Sequence, residues 1–411
     1  MTRRVFVTGM GVVSSLGLGR EAFWRALCAG ESGASELELF DASELGRTRA
    51  CEVKGFAPAD HLTKAEQRQA GRCSGMALAA TRMALADAGL ADDALAGERT
   101  SVVLGTTMGE VDVISRLEKA WLHEGEDAVR PHQLLRYGTT LLPVHVARAV
   151  GARGLTQALP AACAAGNYAM GFASDLIRSG RADVVISGAS EILDKVQFAG
   201  FVRLAAMSPD RVRPFDKNRQ GLLLGEGAAI VVLESEQHAA RRCANLLAEV
   251  GGYGLSCDAH HITRPHPEGE GSIVAMREAI RASGIRAEDV DFINAHGTGT
   301  AANDKVESKV VHEVFGERRV PISSIKSMLG HCMGAASALE AVSCVESLQS
   351  GVLPPTTGYE EPDPECDVEV VANEPRTTNP RIVLNNALAF GGYDAVLCLA
   401  KPGVLPDPGA N

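Results

Sequence analysis

Aromatic residues are scarce, at 4% of 411 residues, so the core cannot rest on stacked rings. With 43 glycines and many alanines, valines and leucines, close packing of helices on strands is the expectation. There is no basic excess either. The net charge is −11, which excludes a general nucleic-acid binder, because such proteins draw affinity from neutralised phosphates. An acidic partner would need a local basic cluster. The ten cysteines include no Cys-x-x-Cys pair, which removes zinc-ribbon and dithiol motifs. A disulfide framework is not expected in a chain this long that shows no secretory signal. The opening, Met1-Thr2-Arg3-Arg4-Val5-Phe6-Val7, is broken by Gly9 before a signal core forms. No apolar run is long enough to span a bilayer. These absences leave a cytoplasmic protein as the expectation, with neither membrane nor nucleic acid as partner. Gly9-Met10-Gly11 also lacks the third glycine of a dinucleotide fingerprint, the place being held by Ser14, and reads as turn chemistry.

What is present is an alternation. Strand-like runs at 5–7, 101–104, 184–188, 228–233, 290–294, 321–325, 381–384 and 395–399 are separated by Ala- and Leu-rich stretches of helical period, such as 76–90 and 273–283. This pattern predicts an α/β fold with buried sheets. A boundary near residue 250 divides it into halves 1–250 and 251–401. Both halves open on a strand running into a glycine turn, Val7-Thr8-Gly9-Met10-Gly11 and Val250-Gly251-Gly252-Tyr253-Gly254. Residues 402–411, rich in proline and glycine, are expected as a flexible tail.

Four places carry candidate chemistry. Cys163 follows Pro160 and precedes small, helix-compatible residues, which puts it near a helix N-terminus. There the dipole and free N–H groups favour the thiolate. His296 ends a strand on a loop of glycine and threonine, His296-Gly297-Thr298-Gly299-Thr300. Lys326 and His331 follow another strand, and Glu340 lies in the helical stretch beyond, either on a solvated face or paired with Lys326. Phe390-Gly391-Gly392 forms a turn with exposed N–H groups, suited to an oxyanion hole or a hinged gate.

In this order the motifs Val7-Thr8-Gly9-Met10-Gly11, Arg213-Pro214-Phe215-Asp216, Leu224-Gly225-Glu226-Gly227-Ala228, His296-Gly297-Thr298-Gly299-Thr300, Asp304, Lys326-Ser327, Gly330-His331 and Phe390-Gly391-Gly392 span almost the whole chain. They resemble the beta-ketoacyl synthases of the thiolase superfamily, and best their dissociated, elongating branch. The resemblance implies a duplicated, five-layered α-β-α-β-α fold. It implies Cys163 as the acyl carrier, His296, His331 and Lys326 as catalytic partners, and Cys163 and Phe390 as oxyanion hole and gate. Glu340 and Asp304 are implied as support. Thr298 and Thr300 would meet a pantetheine arm, and Met108, Phe198, Phe201 and Phe390 an acyl chain. No metal or diffusible cofactor is implied. The implied partners are an acyl carrier protein and a second chain, in a homodimer or in a heterodimer with a chain-length factor. A non-catalytic chain-length factor is the alternative reading, and the presence of Cys163 speaks against it.

Three departures stand out from the family pattern: Ala164-Ala165 where Ser or Thr is usual, Ala389 for glycine, and Tyr393-Asp394 for Thr-Asn. They point to a specialised pathway, polyene or secondary-metabolite synthesis, rather than housekeeping fatty-acid synthesis. For docking an acidic carrier, Lys64, Arg68 and Arg72 recur every four residues and are expected on one helical face.

Overall fold

The computed structural model describes residues 3–407 apart from 92, 93, 135 and 137. The main path of its central sheet is made, in chain order, of β1 (Val5–Ser14), β2 (Thr100–Gly105), β3 (Thr156–Leu159), β4 (Val184–Glu191), β5 (Gly227–Ser235), β6 (Ala248–Cys257), β7 (Phe292–Asn294), β8 (Pro321–Ser323), β9 (Glu369–Val370), β10 (Ile382–Ala389) and β11 (Tyr393–Ala400). They lie in one mixed sheet in the order β9-β8-β7-β10-β11-β6-β1-β5-β4-β2-β3. Strands β1 to β5 make one wing and β6 to β11 the other. The wings meet where Phe6 and Val7 of β1 pair with Glu249 and Ala248 of β6.

Each wing has the same plan. In the first, β3, β2 and β4 run parallel, and β5 and β1 follow antiparallel. In the second, β9, β8, β7 and β10 run parallel, and β11 and β6 follow antiparallel. The helices complete the duplication. Helix α1 (Arg72–Asp87) lies on β1 and β5, with α2 (Leu141–Val150) beside it. In the second half, α4 (Glu270–Ala282) lies on β6 and β11, with α5 (Ala301–Phe315) beside it. Between the wings run α3 (Ala165–Arg178) and α6 (Ala336–Ser350), each touching strands of both. The result is five layers. Every α6 residue from Ala336 to Leu348 is buried, which fits a helix with no solvent face.

The glycines expected in turns lie instead inside strands, and packing explains them. A Cβ on Gly11 of β1 would stand 1.9 Å from the carbonyl oxygen of Ala80 in α1, and one on Gly254 of β6 would stand 1.9 Å from that of Ala275 in α4. Each wing therefore brings a helix backbone down onto a bare strand, and the echo between the two glycine motifs is the duplicated contact itself.

Other boundaries shift for local reasons. The strand expected to end at 384 continues to Ala389 because Asn385 and Asn386 are satisfied inside the sheet. Asn385 exchanges side-chain hydrogen bonds with Asn167 and Asn294, each at 2.9 Å, and Asn386 donates to Glu307 at 3.2 Å. Residues 402–407 are not a loose tail. Leu405 is buried in the second wing's core, and the Gly403 N–H meets Glu249; 408–411 lie outside the described residues. Among the described residues no helix is long and apolar enough to cross a membrane.

Candidate active site

Strand β3 ends at Leu159. The chain turns at Pro160 and makes one tight turn, Ala162–Ala164, with Ala162 in the left-handed region at φ 46°, before α3 begins. Cys163 sits in that turn and is 7% exposed. The small residues after it let α3 approach α6: a Cβ on Gly166 would lie 2.5 Å from the amide nitrogen of Ala338. Cys163 lines a cavity of about 490 Å³ shared with His296, His331, Thr298, Thr300, Phe201 and Phe390. A larger hollow of about 710 Å³, lined by residues including Leu39, Phe40, Arg72, Arg116 and Val196, contains none of the cysteine, histidine or lysine groups of this site.

His296 follows β7 and His331 follows the short helix Lys326–Leu329. Both are buried, and their rings meet edge to face at 5.4 Å. Lys326, fully buried, donates from Nζ to the Glu340 carboxylate of α6 and to His296 Nδ1 at 3.3 Å. The His331 Nδ1 accepts the Met333 N–H at 3.1 Å. With Nδ1 occupied as an acceptor in both rings, the proton of each neutral imidazole belongs on Nε2, where it is free to donate. Burial and the neighbouring Lys326 hold both imidazoles well below the usual histidine range, so they stay neutral.

Burial pushes the Cys163 thiol up to about 12, against the pull of Lys326 and of the Phe390 N–H, which reaches the sulfur. In the resting molecule desolvation thus outweighs Lys326 and the Phe390 N–H, and favours the thiol.

The loop carrying His296 is fixed by two acids of α5. Glu307 accepts the His296 and Gly297 N–H groups at 2.7 and 2.8 Å, and burial raises its carboxyl to about 7. Asp304 accepts the Phe215 and Gly299 N–H groups at 2.8 and 3.2 Å. The Thr298 and Thr300 hydroxyls lie 2.9 Å apart. On the nucleophile side, the buried Glu191 accepts the Thr106 hydroxyl at 3.4 Å and the N–H groups of Thr107 and Met108. Glu191 and Glu307 were not singled out from sequence. The available signal for Glu307 was an acid at i+3 from Asp304, on the helix directly after the glycine loop.

Of the four acyl-chain candidates, Phe201 and Phe390 line the cavity and stack at 5.6 Å. Phe198 turns away to pack edge-on against Phe40 at 5.7 Å, and Met108 packs on the first wing's core; neither lines the cavity with Cys163. Lys64, Arg68 and Arg72 do not share one helical face. A short helix, Lys64–Gln69, ends at Ala70, and Gly71 separates it from α1, so Arg72 belongs to another helix. Its guanidinium is committed to buried Glu226. Lys64 and Arg68 remain exposed.

Residues 2–239 match the family model described as beta-ketoacyl synthase, N-terminal domain, and residues 247–360 match the C-terminal domain model. The chain is 38% identical to nodulation protein E of Rhizobium meliloti (strain 1021), over 98% of this chain and 100% of that protein. It is 37% identical to 3-oxoacyl-[acyl-carrier-protein] synthase 2 of Coxiella burnetii, over 97% and 99%. A solved structure titled "The ishigamide ketosynthase/chain length factor" superposes with a TM-score of 0.95 at 43% identity, over 98% of this chain and 100% of the other.

Proposed function

The chain belongs to the beta-ketoacyl synthase family, a family of condensing acyltransferases, and from that premise we propose that it extends an acyl chain by two carbons on Cys163. The observation that carries this reading is the convergence on one cavity of a cysteine at the foot of a helix and two neutral imidazoles with free Nε2–H groups.

In the first half-reaction the Cys163 sulfur attacks the carbonyl carbon of an acyl-carrier thioester. The carbonyl electrons move to oxygen, and the N–H groups of Cys163 and Phe390 donate hydrogen bonds to the oxyanion. Collapse expels the pantetheine sulfur, which takes the proton that Cys163 gives up. Lys326, the Phe390 N–H and the start of α3 stabilise the sulfur as that proton leaves. In the second half, a malonyl thioester lies with its carbonyl oxygen against the Nε2–H groups of His296 and His331. Its carboxylate departs as carbon dioxide and leaves the bonding pair as an enolate. Preorganised donors are most effective where charge develops, and two neutral donors supply this without a proton transfer. The enolate carbon attacks the Cys163 thioester, the oxyanion collapses, and the 3-oxoacyl thioester forms as the Cys163 thiolate departs and takes a proton from water. Loss of carbon dioxide drives bond formation, so no metal or diffusible cofactor enters.

Glu340 anchors Lys326, and Lys326 sets the His296 tautomer. Thr298 and Thr300 face the pantetheine arm, and Phe201 and Phe390 the first part of the chain. The carrier is acidic and docks through Lys64 and Arg68. A second chain of the same fold completes the enzyme, either a copy of this one or a chain-length factor. Trp121 and Leu122, 63% and 82% exposed on the helix Val111–Glu124, offer it apolar surface. The test is a reconstituted reaction with acyl- and malonyl-carrier thioesters, alone and with a co-purifying partner chain, read by mass of the carrier-bound product. A product two carbons longer that bears a 3-oxo group supports the reading. Its absence in both samples, with folded protein, rejects it.

A further inference from the structure

The Phe390 loop is tied to a second loop. The Asp258 N–H donates to the Gly392 carbonyl at 2.9 Å, and the Gly391 N–H to the Ile262 carbonyl at 2.7 Å. Residues 258–266 thus lie against the gate, and Asp258, Thr263, Arg264 and Pro265 line the same cavity as Cys163.

Beneath this junction two carboxyl groups meet. Asp394, 2% exposed, is the second residue of β11, paired with Leu388 of β10 and Ser256 of β6. Its Oδ2 accepts the Ser272 hydroxyl at 3.0 Å. Asp258 accepts the His266 N–H on Oδ2 at 2.8 Å, while its buried Oδ1 has no hydrogen-bond donor. The gap between the two is held open by Gly271, where a Cβ would stand 2.6 Å from Asp258 Oδ1 and 2.7 Å from Asp394 Oδ2. Two ionised carboxylates flanking one glycine repel; one shared proton turns the pair into a hydrogen bond.

We propose that Asp394 is a positioning residue: as a neutral acid it donates to Asp258 and latches the loop 258–266 against the Phe390 gate, holding the Phe390 N–H at Cys163. The proposal rests on the reading of the cavity as the acyl-transfer site.

Burial first, then the charge and hydrogen bond of Asp258, raise the Asp394 carboxyl to about 8. The titratable groups around it are Asp258, Glu307 of α5, Tyr168 of α3, Cys257 of β6 and neighbouring Tyr393, with His260, Arg264 and His266 on the latched loop itself. As pH rises through about 8 the shared proton leaves, two carboxylates face each other, and the latch opens. An amide at this place would form the contact without titrating, so the acid makes the gate pH-sensitive.

The test is hydrogen–deuterium exchange of peptides covering 258–266 and 390–392 at pH 6.5 and 9, corrected for the intrinsic rate, in wild type, Asp394→Asn and Asp258→Asn. Wild type should exchange several-fold faster at the higher pH. Each variant supplies an amide donor to the remaining carboxylate and should stay protected at both. If Asp394→Asn does not fold, Asp258→Asn carries the comparison. Wild-type protection that does not change with pH overturns the proposal, as does a variant that loosens like wild type. Cys163 acylation measured on the same samples reports separately on the cavity's function, since exchange is read whether or not an acyl group is transferred.

Discussion

Replacing Lys326 by methionine separates what this residue does for stability from what it does for chemistry. Lys326 is fully buried, and Glu340 is 1% exposed. Methionine fills the space and removes the cation. Glu340 then loses the partner of Oε1, while its Oε2 has none to begin with. Breaking a buried pair from one side costs about 3–5 kcal/mol. With an unfolding entropy of ~2.1 cal/mol/K per residue, that lowers Tm by about 3–6 °C in a chain of this length. The loss is pH-dependent. Burial already holds the Glu340 carboxyl above its ordinary value against Lys326, and without the cation it rises further. The variant should therefore suffer more at pH 8, where the unfolded chain's carboxylate is ionised, than near pH 5, where the folded one keeps its proton. Lys326→Met/Glu340→Leu removes both charges and should recover most of the stability. Neither variant fixes the His296 tautomer, so malonyl decarboxylation should fall in both by ~100-fold or more, the scale of losing one oxyanion donor. Thermal melts at two pH values and a carbon dioxide release assay read both arms. Equal stability of the single and double variants refutes the buried-pair argument. Full decarboxylation by the stable double variant refutes the tautomer argument.

Three further outcomes follow from the same geometry. His331→Ala should reduce decarboxylation by about 10²–10³ while the rate of Cys163 acylation, followed by mass, changes little; equal losses in both would merge the two half-reactions. Because burial and Lys326 hold both histidines neutral, the pH profile of decarboxylation should show no inflection near 6.5, and one there would mean that a ring titrates in the accessible range. Ala389 sits in extended backbone at φ −124°, which alanine adopts freely, so Ala389→Gly should leave this arrangement intact and act only by admitting other loop conformations. It should shift the chain-length profile of the products, and an unchanged profile and rate would remove Ala389 from selectivity.

The α/β alternation was legible in the sequence, and so were the candidates that the fold gathers at one cavity, because each sits where an element ends: Cys163 after Pro160, His296 after β7, Lys326 and His331 after β8. The acids that hold the site were not. Glu307 and Glu191 look like solvated residues until the fold buries them under backbone N–H groups. Glycine was legible as a signal but misassigned. Gly11 and Gly254 admit a helix against a strand, a contact between distant segments, whereas a turn is the local reading of the same residues. The Asn385-Asn386 pair reads as the end of a strand for the same reason, since its partners Asn167, Asn294 and Glu307 are far away in sequence. The break at Ala70-Gly71, by contrast, was visible and outweighs the four-residue spacing of Lys64, Arg68 and Arg72.

The measurement closest to the centre of the account is the mass of the peptide bearing Cys163 after exposure of the folded protein to an acyl-carrier thioester. The account predicts an added acyl group on that peptide, released by hydroxylamine and absent in Cys163→Ala. An unmodified Cys163 in folded protein, alone and with any chain that co-purifies with it, would contradict it.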